Sequence, residues 1–92
     1  MARYEVEPEQ MDAAVRGFEA ASEQLRGLRG AKGGYILIDR ENGSAVTVTF
    51  WEGYDVLSAS EVVAAGLRRQ AMEEAQGQVS SVGVYEVAAE FD

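Results

Sequence analysis

Apolar and polar positions alternate at the start of the chain, where Ala2, Tyr4 and Val6 are separated by Arg3 and Glu5. That period of two predicts a short strand over residues 2–6, which Pro8 stops. Proline suits the first position of a helix, and Glu7, Glu9 and Asp12 put negative charge near the positive end of its dipole. Met11, Ala14, Val15, Phe18, Leu25 and Leu28 then recur at steps of three and four, so one apolar stripe of a helix ending at Gly30 can lie on a sheet.

Residues 30–34, rich in glycine, read as a loop before the strand-favouring run Tyr35-Ile36-Leu37-Ile38. Asn42-Gly43 predicts a hairpin, since both residues tolerate the positive φ that a type I′ turn needs at its two central positions. The return strand covers 45–51, with Val46, Val48 and Phe50 on one side and Thr47, Thr49 and Trp51 on the other. A two-residue turn pairs Leu37 with Val48, whereas a one-residue bulge pairs Ile38 with Val46, and the slip between them exchanges the faces. Under either register neither face of the hairpin is plainly polar, and two helices can cover only one of them. A second copy of the chain is the economical cover for the other.

Residues 52–59 suggest a short helical turn, after which Ser60 can cap a second long helix running to about residue 75. Val63, Leu67 and Ala71 supply its buried stripe, with Leu57 and Met72 alongside, and Gly66 weakens it by about 1 kcal/mol relative to alanine. Residues 76–78 close that element. A last strand is expected over 79–91, with Tyr85, Val87, Ala89 and Phe91 on one face and Val82 and Val84 on the other. The order is βαββαβ, which predicts an α+β, ferredoxin-like domain with a four-stranded antiparallel sheet and two helices on one face, and no internal repeat interrupts it.

Composition narrows the functional classes. Ninety-two residues, 47% of them hydrophobic and 26% charged, suffice for one folded domain over 1–92 and leave no room for a second core. Sixteen acidic against eight basic side chains give a net charge of −8, which repels phosphate backbones and anionic lipid surfaces. Nucleic acid and membrane are therefore poor partners, and no apolar run is long enough to span a bilayer. The first residues lack the apolar core of a signal peptide, so a cytoplasmic location is expected. With no cysteine and no histidine, the chain has no disulfide, thiolate nucleophile, Ser-His-Asp triad or histidine-ligated metal or haem.

The stretch Lys32-Gly33-Gly34-Tyr35-Ile36-Leu37-Ile38-Asp39-Arg40-Glu41-Asn42-Gly43, with Val46-Thr47-Val48-Thr49-Phe50-Trp51-Glu52, resembles the dimeric α/β barrel superfamily, and within it the antibiotic biosynthesis monooxygenase-like domains. Ser58-Ala59-Ser60-Glu61 and Val82-Gly83-Val84-Tyr85-Glu86-Val87 extend the similarity over nearly the whole chain. These are strand, turn and helix-packing positions, so the resemblance implies fold and homodimer more than chemistry. It also implies a site in the cavity between helices and sheet. Haem-degrading members hold iron with a histidine, which is absent here, and the only asparagine, Asn42, is at the hairpin tip, far from where the quinone-forming oxygenases use one.

Trp51, Tyr35, Tyr85, Phe18 and Tyr54 are the candidates for lining a pocket where an aromatic ligand stacks, against the favoured reading that they are ordinary core and interface packing. Arg40, Arg68 and Arg69 could fix an acidic ligand or phenolate, although surface ion pairing is the commoner role. The acidic pairs Asp39 with Glu41, Glu52 with Asp55, and Glu73 with Glu74 are too sparse for a cation site. No metal and no cofactor is expected. The residues support a homodimeric barrel protein, able to hold a hydrophobic or aromatic small molecule. The alternative is a cofactor-free monooxygenase for a phenolic or quinone-type substrate.

Overall fold

A computed structural model describes all 92 residues. Strand β1, Ala2–Glu5, leads through a single 3-10 turn at Pro8–Gln10 into helix α1, Met11–Leu25. Strands β2, Ala31–Asp39, and β3, Ser44–Trp51, form the hairpin, and helix α2, Tyr54–Ala75, returns the chain to β4, Gln78–Val82. The sheet order is β2-β3-β1-β4 with every neighbouring pair antiparallel, and both helices lie on one face, so the fold is ferredoxin-like.

The alternation in β1 decides which face is covered. Ala2, Tyr4 and Val6 are buried while Arg3 and Glu5 are exposed. Tyr4 packs against Phe18 of α1 with ring centroids 4.7 Å apart, and Met11, Ala14, Ala45, Ala71, Met72 and Ala75 complete the core. The helices cross where Gly17 meets Ala71: a Cβ on Gly17 would lie 3.1 Å from that of Ala71, so small residues set the helix separation.

Register settles the hairpin. Leu37 pairs with Val46 and Ile38 with Ala45, neither of the two registers expected, because the connection holds the four residues 40–43. Gly43 alone takes positive φ, at 66°, which replaces the type I′ turn by a longer loop. Asp39 closes it by accepting from the Asn42 backbone N–H at 3.2 Å and its side-chain amide at 2.7 Å. The amide, then the backbone bond, holds the Asp39 carboxyl below the usual carboxylate range. A shift of two residues keeps the faces of the two-residue turn. Ile36, Thr47 and Trp51 therefore look toward the helices, and Tyr35, Leu37, Val46, Val48 and Phe50 look away.

Four boundaries differ from expectation. Helix α1 stops at Leu25, not Gly30, because the chain passes into successive turns, Arg26 N–H to Ser22 and Leu28 N–H to Leu25. Strand β2 starts at Ala31, paired with Trp51, so the glycines read as a loop form a bulge between Ala31 and Gly34. At Gly34 a Cβ would collide with the Val48 carbonyl oxygen, and only glycine allows the strands to approach there. Helix α2 begins at Tyr54 behind Gly53 and runs unbroken through Ser60, which is buried mid-helix and caps nothing. Val63 is consequently turned outward, and the buried stripe is Ser60, Ala64, Ala71, Met72 and Ala75.

The fourth boundary is the end of β4, at Val82 instead of residue 91. Pairing with β1 stops at Ala2–Val82 and one further bond, Gly83 N–H to the Met1 carbonyl at 2.7 Å. Beyond it the alternating pattern has no ladder to join, and an unpaired segment gains nothing from being a strand. Residues 83–92 carry neither helix nor strand, with Tyr85, Val87 and Phe91 exposed. No helix is long and apolar enough to cross a membrane.

Candidate functional site

Between the helices and the covered face of the sheet lies a cavity of about 600 Å³. The core gathers around β1, and beside it the small side chain of Ala64 on α2 leaves this space next to the hairpin. Its walls are mostly apolar, with Phe18 and Leu25 from α1, Ile36 and Trp51 from the hairpin, and Leu57 and Leu67 from α2. The size is in the range that encloses a small organic molecule.

Polar groups converge on this cavity from β1, β3, α2 and the N-terminus. The hydroxyls of Tyr4 and Thr47 share a hydrogen bond of 3.0 Å across β1 and β3. Burial pushes the Tyr4 phenol above its ordinary pKa, which the Thr47 bond and the positive charge of Arg68 partly oppose. Arg68 on α2 is bonded through Nη2 to Glu61 Oε1, and its side chain is only 18% exposed. The Met1 amine donates to the Gly83 carbonyl at 2.8 Å. Its pKa is lowered by burial first and by Arg68 second, while Glu61 acts in the other direction. At the rim Glu23 and Arg26 form an exposed ion pair at 3.1 Å.

The structure brings Phe18 and Trp51 to the same cavity. Tyr35 borders it, but alternation sends its ring to the opposite face, where it meets Phe50 edge-on at 6.1 Å. Tyr54, at the exposed start of α2, and Tyr85, in the unpaired tail, stand outside the cavity walls. Of the arginines, Arg68 is in the wall, Arg69 is not, and Arg40 pairs on the surface with Asp12 at 2.9 Å.

Tyr4, Thr47 and Glu61 were not singled out by pattern. Tyr4 reads as core because it is core, and it also borders the cavity. For Glu61 a signal was available: residues 61, 64, 68 and 71 share one face of a helix, so Glu61 and Arg68 interrupt the very stripe that Ala64 and Ala71 bury. Two opposite charges on a buried stripe at two-turn spacing mark a charged pair facing inward.

Comparison with protein-family profiles, curated proteins and solved structures returned no significant match.

Proposed function

We propose that the chain is a homodimeric barrel protein, of the antibiotic biosynthesis monooxygenase-like kind that its sequence resembles, and that it holds an aromatic small molecule between its helices and its sheet. The cavity carries this reading: about 600 Å³ of mostly apolar space ending in a few convergent polar groups is the usual form of a small-molecule site. Trp51 and Phe18 offer rings for stacking, and Tyr4, Thr47 and Arg68 offer hydrogen bonds that fix orientation.

The second copy is supported by the open sheet face. Tyr35 and Leu37 are more than half exposed there, with Val46, Val48 and Phe50 between them, all on the β2–β3 half. The β1–β4 half of the same face is polar, with Arg3, Glu5, Gln78 and Ser81. The chain's 6458 Å² of accessible surface exceeds by about a quarter the roughly 5200 Å² typical of a compact monomer of this mass. The open sheet face and the unpaired segment 83–92 both contribute to that excess.

Calorimetric titration with indole-3-carboxamide, a neutral aromatic, tests the ligand reading. Saturable one-to-one binding is expected, abolished in Ala64→Phe, which fills the cavity from α2. Equal heats in the two proteins would refute it. Trp51 from β3 and Arg68 from α2 both line this cavity, which also accommodates the oxygenase alternative, in which the substrate itself donates electrons to oxygen. Oxygen uptake with hydroxylated naphthalenes and anthrones, lost in Trp51→Phe, would establish that reading over simple binding.

A further inference from the structure

The charged side chains around the cavity occur in compensated pairs. Glu23 and Arg26 neutralise each other at the rim, and Glu61 and Arg68 do so in the wall. Arg68 is the more deeply placed of its pair, its side chain 18% exposed against 45% for Glu61. Of the five N–H donors on a guanidinium, one is engaged by Glu61, which leaves others for a neutral acceptor such as a carbonyl oxygen. The hydroxyls of Tyr4 and Thr47 share one hydrogen bond and add no net charge.

We propose that Glu61 is the specificity residue of this cavity: by holding Arg68 it withholds the guanidinium from anions, so the site selects uncharged aromatics bearing a carbonyl or amide oxygen over the matching carboxylates. The assignment rests on the cavity being a ligand site. Its physical basis is the repulsion between a ligand carboxylate and Glu61, whose negative charge lies beside the less exposed Arg68. A neutral acceptor instead meets an arginine whose charge is already balanced, and loses nothing to that repulsion. The Met1 amine, which donates to the Gly83 carbonyl, also borders the cavity, and its contribution is common to wild type and to any variant at Glu61.

The test compares indole-3-carboxamide with indole-3-carboxylate, which share shape and differ in charge at neutral pH, by titration calorimetry on the full chain. Wild type is expected to bind the amide at least tenfold more tightly, about 1.4 kcal/mol. In Glu61→Gln the carboxylate gains tenfold or more while the amide changes less than twofold. Adding Arg68→Met to Glu61→Gln removes that gain. Glu61→Met, which keeps the volume and the helix propensity, replaces Glu61→Gln should the latter fail to fold by circular dichroism. Equal wild-type affinities, or a ratio unmoved by loss of Glu61, would overturn the assignment while leaving the cavity a ligand site. Failure of both probes to bind wild type would overturn the ligand reading itself, and the assignment with it.

Discussion

Replacing Phe18 by alanine tests how the core and the cavity share one side chain. Phe18 is 3% exposed, its ring rests on Tyr4 at 4.7 Å, and it also borders the cavity. Truncating a buried phenylalanine costs about 3–5 kcal/mol, and the lost aromatic pair falls within that span. The lower end applies here, about 3 kcal/mol, because the vacated space merges with an existing cavity in place of opening a new one in solid packing. A 92-residue domain has roughly 5–14 kcal/mol of stability in all, so the variant should fold but melt early. At about 4–8 °C per kcal/mol, the expected drop in Tm is roughly 12–24 °C. Thermal and urea unfolding followed by circular dichroism, at equal protein concentrations, gives the comparison. Phe18→Leu should recover more than half of the loss. A drop below about 1 kcal/mol would show that Phe18 does not pack on Tyr4, and the described core would be wrong.

Two further substitutions address the hairpin. Gly34→Ala drives a methyl group into the Val48 carbonyl oxygen, and the strand shift needed to relieve it should cost about 1–3 kcal/mol in urea unfolding; an unchanged midpoint would contradict the close approach. Asn42→Ala removes the main cause of the lowered Asp39 pKa. A carboxyl with a depressed folded pKa contributes stability that is present above its unfolded value, near 4, and lost as pH falls through the folded value. Wild type should therefore exceed Asn42→Ala in Tm at pH 6, and the difference should close in strongly acidic solution; a pH-independent difference would exclude the Asp39 bond as its source.

The element order was legible because α1 and the hairpin carry strong local signals. Met11, Ala14 and Phe18 keep helical spacing, and the alternation in 45–51 survives any register. The ends of elements were not legible, for a physical reason in each case. Residues 83–91 alternate like a strand, but a strand also needs a neighbour, and β1 supplies none beyond its first residues. Ser60 has the chemistry of a cap, yet α2 already satisfies its backbone from within. Aromatic identity likewise says nothing of direction: Trp51 falls on the covered side of β3, whereas Tyr35, one position out of phase on β2, falls on the open side. Arg68 read as a surface residue because arginines usually are, and its inward place follows only when Glu61, Ala64 and Ala71 are seen on the same helical face.

The proposed pairing of two chains across the open β2–β3 face is tested most directly by light scattering on a size-exclusion column at micromolar concentration. A particle of twice the 9.9 kDa chain mass is expected, converted to single chains by Val48→Lys, which places a charge at the centre of the apolar patch. A wild-type particle of 9.9 kDa, stable on dilution and concentration alike, would contradict it.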